Sequence, residues 1–335
     1  MDPITHGLAS FALKRGSFPK APRPVLVSMI LAGTLADLDW FSGLFGPSVY
    51  LSWNGGTLHS FAGAVILAFI VGLAIRFYAK SRGVLLSGVL WWLAPVCAAL
   101  LHVGMDALLS NGVKLFWPAS SQRVALDWAP SFDLFVLILL TAGIFLPELF
   151  RLVSDEIGAK SKKPRGQVGA IIALILVAVY FGARGMMHAS AVAMLAGRTY
   201  SGEFARRAGA FPDSTSPFLW HGVVETESAI HLLPVPTGMR ANFDPEDALH
   251  IHKPEPSSIL DAAQKSEAAR RFLSVARFPK ATVQSETDGF SVEIHDLKYD
   301  ALGQTSRVVN AEIHLNAAGQ VTSAQLEWQG QRSKH

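Results

Sequence analysis

The sequence predicts a mainly α protein: a polytopic helical membrane domain over residues 1–190 followed by a soluble α+β domain over 191–335. Three observations carry that expectation. Half of the 335 residues are hydrophobic and only 16% are charged, against about 25% in ordinary soluble domains. Apolar stretches at about 25–45, 60–78, 84–110, 132–150 and 167–187 each approach the roughly 20 residues needed to cross a bilayer core. The charge balance also changes along the chain. Residues 1–197 hold 15 Lys/Arg against 9 Asp/Glu, and residues 198–335 hold 14 against 17. The pI near 9.0 therefore comes from basic loops of the membrane half, and no nucleic-acid partner is expected.

The start, Met1-Asp2-Pro3, has no basic n-region, so no cleavable signal peptide is expected. Segment 3–13 is apolar but long enough for only about 16 Å of helix, half a membrane. The first span is interrupted by Asp37 and Asp39. Twelve basic residues (Lys14, Arg15, Lys20, Arg23, Arg76, Lys80, Arg82, Arg151, Lys160, Lys162, Lys163 and Arg165) fall on one side if every stretch crosses. Lys114, Arg123 and Arg184 fall on the other. The positive-inside rule then places the twelve in the cytoplasm of a bacterial inner membrane and the tail outside, in the periplasm. Cys97 is the single cysteine, which excludes disulfides and Cys-type zinc sites.

The tail begins with a polar, small-residue stretch, Gly197 to Thr215, and continues with strand-like runs at 219–233, 281–286, 289–297, 306–315 and 320–328. A helical run at 257–276 opens on Ser257 and Ser258 as caps. Asp288-Gly289 and Ala318-Gly319 suit hairpin turns. An antiparallel sheet with one helix is expected. Its function and its protein partner are not legible.

Chemistry concentrates in the first half. Asp37, Asp39, Asp106 and Asp133 sit in or beside apolar runs, as do His6, His59 and His102. His102 and Asp106 are four residues apart and share a helix face. On the topology above, Asp37/Asp39, His59, His102/Asp106 and Asp133 all lie near the outer ends of their helices. Segment 3–13 lifts His6 by roughly 12 Å from the cytoplasmic side, and Asp37 stands roughly 21 Å above Arg23, so the two meet at mid-to-outer depth. Taken singly, each has a plainer reading. His6 fits an interfacial residue, Asp37-Leu38-Asp39-Trp40 a helix end, His59-Ser60 a cap and Asp133 a first-turn carboxylate. Together, ionisable groups that cost a few kcal/mol each at the membrane centre call for one shared explanation. Imidazole nitrogen and carboxylate oxygen without sulfur suit zinc, manganese or iron.

The motifs also resemble those of a known family. Met1-Asp2-Pro3-Ile4-Thr5-His6-Gly7, Asp37-Leu38-Asp39, Gly56-Thr57-Leu58-His59-Ser60 and His102-Val103-Gly104-Met105-Asp106 occur in the order seen in the YdjM-like family. That family is described as LexA-binding, inner-membrane-associated metal-dependent hydrolases. Asn111-Gly112 to Trp117-Pro118, Asp127-Trp128 and Asp133 are similar to its closing segments. Pro217-Phe218-Leu219-Trp220 and Arg277-Phe278-Pro279 look like elements that follow the domain in some members. Two departures stand out: Ala36 replaces the usual proline, and Asn54-Gly55 replaces a His-Arg that many relatives carry. The LexA part of the description finds no corresponding residues.

The resemblance implies one or two divalent metals, zinc foremost, held by His6, Asp37, Asp39, His59, His102 and Asp106. Asp133 or Asp39 would serve as catalytic base or orienting group, and membrane lipids or a lipid-like ester or phosphoester as substrate. Lys114 and Arg123 lie on the same side and suit a phosphate. The rival expectations are an ion-coupled transporter with a proton relay, against which no internal repeat is found, and a non-catalytic membrane scaffold built round a structural metal.

Overall fold

A computed structural model describes residues 1–156, 166–238, 242–304 and 308–329, without side chains over 151–156. The chain divides into two compact units. The first comprises Met1–Asp39 and Gly55–Gly185, and the second Trp40–Asn54 and Met186–His335.

The first unit is helical. Helix α1 (Pro3–Ser17) starts on proline, which needs no hydrogen-bond donor in the first turn, and its cap is Asp2, which accepts from Thr5 N at 3.0 Å. Helix α2 (Arg23–Ala32) ends at Gly33, and a 3-10 helix, Leu35–Phe45, follows. The expected first span is thus one 23-residue apolar stretch, Arg23–Phe45, in two helical pieces. The short helix α3 (Pro47–Trp53) belongs to the second unit. The first unit resumes with α4 (Phe61–Ser81), α5 (Leu90–Asp106), α6 (Leu134–Glu156) and α7 (Gln167–Ala196), the last of which continues into the second unit.

Among the described residues three segments are long and apolar enough to cross a membrane: Arg23–Phe45, Phe61–Ser81 and Gln167–Ala196. Leu90–Asp106 and Leu134–Phe150 are shorter apolar helices. Their outward faces carry Ile66, Phe69, Ile70, Ile138, Phe145, Ile172 and Ile175, all exposed in the chain alone, as lipid-facing side chains are.

Small residues set the helix spacing. Ala64 and Ala68 of α4 pack against Ala99 and Val103 of α5 with Ala32 of α2, and a side chain at Gly72 would meet the Trp91 carbonyl at 2.5 Å. Gly143 and Gly169 bring α6 and α7 together in the same way. Where lipid is as apolar as leucine, such close approach replaces the hydrophobic drive between helices. Between α5 and α6, residues 107–133 fold back over the end of α5. Leu126 N and Trp128 N donate to the carbonyls of Ala107 and Leu108, and Val113 pairs with Val124.

Among the described residues the second unit holds two four-stranded antiparallel sheets and a short ribbon, where one sheet was expected. The ribbon is β1 (Thr199–Tyr200) with β2 (Glu203–Phe204). One sheet has the order β3-β4-β5-β6, from β3 (Arg207–Pro212), β4 (Leu219–Glu225), β5 (Ala229–Pro236) and β6 (Leu249–His252). The run at 219–233 is therefore a hairpin. β3 and β6 escaped the sequence reading because one is Ala/Gly/Pro-rich and the other has four residues.

The other sheet, β10-β9-β8-β7, contains β7 (Pro279–Glu286), β8 (Gly289–Asp296), β9 (Val309–Asn316) and β10 (Val321–Trp328). The expected Ala318-Gly319 turn falls between β9 and β10, while the turn expected at Asp288-Gly289 sits one residue earlier, since Gly289 already opens β8 and pairs with Glu286. The helical run at 257–276 is two helices, α8 (Ser258–Gln264) and α9 (Glu267–Leu273), because Ser266 caps a second start by accepting from Ala269 N. A further short helix, α10 (Leu297–Ala301), follows β8. Leu260, Ala263, Ala269 and Phe272 of α8 and α9 pack on Val292, Ala311 and Ile313. Tyr50 and Leu51 of α3 lie against the same cluster. Ala191 and Leu195 of α7 pack on Trp220, Leu233 and Val235 of the β3–β6 sheet.

Candidate metal centre

Four of the predicted residues converge inside the helical unit. One ligand atom from each of His6, Asp37, His102 and Asp106 lies within 4.8 Å of the others. His6 comes from α1, Asp37 from the 3-10 segment after α2, and His102 and Asp106 from successive turns of α5. Asp106 is the hub. His6 Nε2 lies 3.1 Å from its Oδ1, while His59 Nε2 and His102 Nε2 lie 3.1 and 3.4 Å from its Oδ2. Asp37 Oδ1 is 3.8 Å from His102 Nε2 and 4.0 Å from both His6 Nε2 and His59 Nε2. The Met1 amino group also pairs with Asp106 Oδ1.

The cluster is enclosed. His6, His102, His59 and Asp106 are 1%, 2%, 4% and 5% exposed, and Asp37 is the most open, its side chain 13% exposed. His102 Nδ1 lies 3.0 Å from the Gly33 carbonyl. A carbonyl only accepts, so Nδ1 carries the proton and the lone pair sits on Nε2, directed at the carboxylates. That Nε2, together with Asp37 Oδ2, is buried without a hydrogen-bond partner. Buried polar atoms are rarely left so, and imidazole nitrogen beside carboxylate oxygen is the donor set of a divalent cation. The residues present fit such an ion.

Local sequence explains the placement. Gly33 ends α2 and passes close to α1, where any side chain would collide with Ser10 Oγ. Asp39 is 9% exposed and holds the rim: its Oδ2 accepts from Gly55 N at 2.8 Å and lies 3.1 Å from His59 Nδ1. It stands behind His59 on the side away from Asp106, close to Nδ1 without a hydrogen bond to it. Gly55 adopts φ +61, and a Cβ there would meet the Gly112 carbonyl at 2.8 Å. Ser60 caps α4, accepting from Gly63 N at 2.9 Å and donating to the Thr57 carbonyl.

Asp133 is engaged elsewhere. Its Oδ1 accepts from Phe135 N and Val136 N at the start of α6, and its Oδ2 accepts from Tyr180 Oη at 2.8 Å. Lys114 and Arg123 are neighbours. Partial burial, and then the Arg123 charge, hold the Lys114 ammonium below its usual pKa. Lys114 N donates to the Gly55 carbonyl, which ties this loop to the Asp39–Gly55 link. Sequence reasoning missed the Met1 amine, the Gly33 carbonyl and the Gly55 amide. All three are backbone groups, for which residue type carries no signal.

Comparison with known proteins agrees with these motifs. The profile of the YdjM inner membrane protein family matches residues 1–191, and the chain belongs to that family. It is 27% identical over 153 residues to an uncharacterized protein, YfhP, of Bacillus subtilis (strain 168). That match covers 43% of this chain and 45% of the relative, so the chain spans less than half of the relative's length. No solved structure matches the chain. The family and the three apolar helices support an inner membrane location.

Proposed function

We propose that this member of the YdjM inner membrane protein family is a membrane-bound, metal-dependent hydrolase acting on an ester or phosphoester of a lipid-like substrate. The observation that carries the reading is the convergence of His6, Asp37, His102 and Asp106 within 4.8 Å, with His102 Nε2 and Asp37 Oδ2 buried and unpartnered. These four and His59 would hold one or two divalent ions, zinc first by donor type. A bound divalent ion supplies a water of pKa about 7 and polarises the scissile group. The chain's own residues do the rest. The Gly33 carbonyl fixes the tautomer of His102, and the Gly55 amide holds Asp39 beside His59. Asp37, the most solvent-accessible member, is the group best placed to take a proton from an entering water. Lys114 and Arg123 suit the phosphate of a phosphoester. The multi-pass topology with twelve cytoplasmic basic residues and a periplasmic tail belongs to the same proposal.

The depth of burial favours a second reading, a structural metal holding α1, α2 and α5 together, since structural sites are closed. Metal analysis of the purified protein tests the shared premise. At least one equivalent of a transition metal is expected at the helical cluster, and His102→Ala is expected to lose that equivalent; no loss on His102→Ala, or less than a stoichiometric amount in the parent protein, overturns both readings. Hydrolysis of phosphodiester and phospholipid substrates, with and without chelator, then separates them. Chelator-sensitive turnover supports the enzyme, and a metal-replete protein without turnover supports the scaffold.

A further inference from the structure

The second unit carries another histidine cluster, on residues that the sequence reading did not single out. His231 in β5 lies directly opposite His250 of β6, and His252 lies opposite Ala229. Opposed residues, and residues two apart along a strand, share a face of a sheet. The three imidazoles therefore project to the same side. Their rings touch in sequence: the centroids of His231 and His250 are 4.6 Å apart, and those of His250 and His252 4.4 Å. β6 is the edge strand of its sheet, so the cluster runs from the core to an open margin. His231 is 2% exposed, His250 half-buried and His252 exposed.

Ring packing alone leaves one fact unexplained. His231 Nε2 is buried without a hydrogen-bond partner. Its neighbour Tyr200, 5.1 Å away between ring centroids, does not serve it, because the Tyr200 hydroxyl donates to the Leu195 carbonyl at 3.0 Å. A strand with histidine at alternate positions, facing a third on the next strand, presents nitrogen donors on one surface and no thiolate. That is an environment suited to zinc or copper.

We propose that His231, His250 and His252 form a second metal site, taking Zn(II) or Cu(II) at the margin of the β3–β6 sheet. Metal–nitrogen distances of about 2.0–2.1 Å require donor atoms roughly 3.3 Å apart. Adjacent rings of the cluster are in contact; an ion would draw the two edge-strand imidazoles toward buried His231, and exposed His252 leaves the remaining coordination position to solvent. This site shares no residue with the helical one.

The test uses the full-length protein in detergent, purified without a polyhistidine tag and titrated with Cu(II), read by electron paramagnetic resonance. The His102→Ala protein is expected to take up one equivalent with nitrogen hyperfine splitting. His250→Gln/His252→Gln in that background, at partly exposed positions that leave the core intact, is expected to weaken uptake at least 100-fold. If His102→Ala does not fold, the same double substitution in the otherwise unaltered chain is expected to remove one equivalent and its nitrogen splitting. Uptake unchanged by the double substitution, in whichever background folds, overturns the proposal. Loss on His102→Ala with no effect of the strand substitutions does so while leaving the helical site standing.

Discussion

The two histidine clusters are built in opposite ways. In the helical unit, His6, His59 and His102 are spread over nearly a hundred residues and meet around Asp106, with Asp37 and Asp39 beside them. In the β unit, His231, His250 and His252 come from adjacent strands, and imidazoles meet imidazoles. A carboxylate buried among apolar helices needs several partners to be tolerated, so the first cluster is coupled to the packing of α1, α2 and α5. In the second cluster no described carboxylate is buried among the rings, and only His231 is embedded in the core, while His250 and His252 stand on the edge strand. Chemistry and stability are therefore linked in one unit and separable in the other.

Four substitutions test that contrast. Asp106→Ala leaves the Met1 amine and three histidines facing an empty position. It is expected to abolish metal binding at the helical site and cost about 3–5 kcal/mol, the scale for breaking a buried charge network, measured by thermal unfolding in detergent. A loss below about 1 kcal/mol would show that the hub carries no structural role. Gly55→Ala requires a positive φ and a displaced Gly112 carbonyl. A loss of roughly 1–3 kcal/mol is expected, with weakened metal binding because the Gly55 amide holds Asp39; unaltered affinity would disconnect rim from centre. Asp39→Asn keeps the shape and removes the charge behind His59, and a 10–100-fold loss of metal affinity with little change in unfolding temperature is expected from isothermal titration.

The fourth substitution probes the β unit. Asp213 accepts from Thr215 N, Thr215 Oγ1, Ser216 N and His221 Nε2. Burial pushes its carboxyl pKa up, but these hydrogen bonds outweigh it and hold the group well below the usual range. A depressed pKa stabilises the fold above the unfolded value near 3.9, and that contribution is lost as the pH falls through and below it. Asp213→Ala is expected to cost roughly 1–2 kcal/mol at pH 7. The gap from the parent protein should stay constant down to about pH 5 and narrow below about pH 4. A gap that widens in acid would reverse the assignment.

Much of the helical site was legible because ionisable residues in apolar runs are costly and therefore informative. His6, Asp37, His59, His102 and Asp106 could be named from that cost and from motif order alone. Asp133 looked the same by this criterion. The structure gives it to the first turn of α6 and to Tyr180, an alternative the residue type allowed but did not choose. Ser60 as a cap was readable because a hydroxyl before an apolar run has one common use. In the tail, the β7–β10 sheet was legible through turns and alternation. The β3–β6 sheet was less so, since β5 is buried along nearly its whole length and shows no polar–apolar rhythm.

The sequence by itself determined a helical, lipid-solvated first half with a His/Asp set lacking sulfur, and a β-containing tail. These follow from composition and period, which any fold must respect. Tertiary structure alone decided that Asp106 is the centre and Asp39 the rim, that Trp40–Asn54 joins the second unit, and that three tail histidines share one face. Each depends on which distant backbone lies alongside which, and strand pairing and helix crossing are properties of the folded chain rather than of any local stretch.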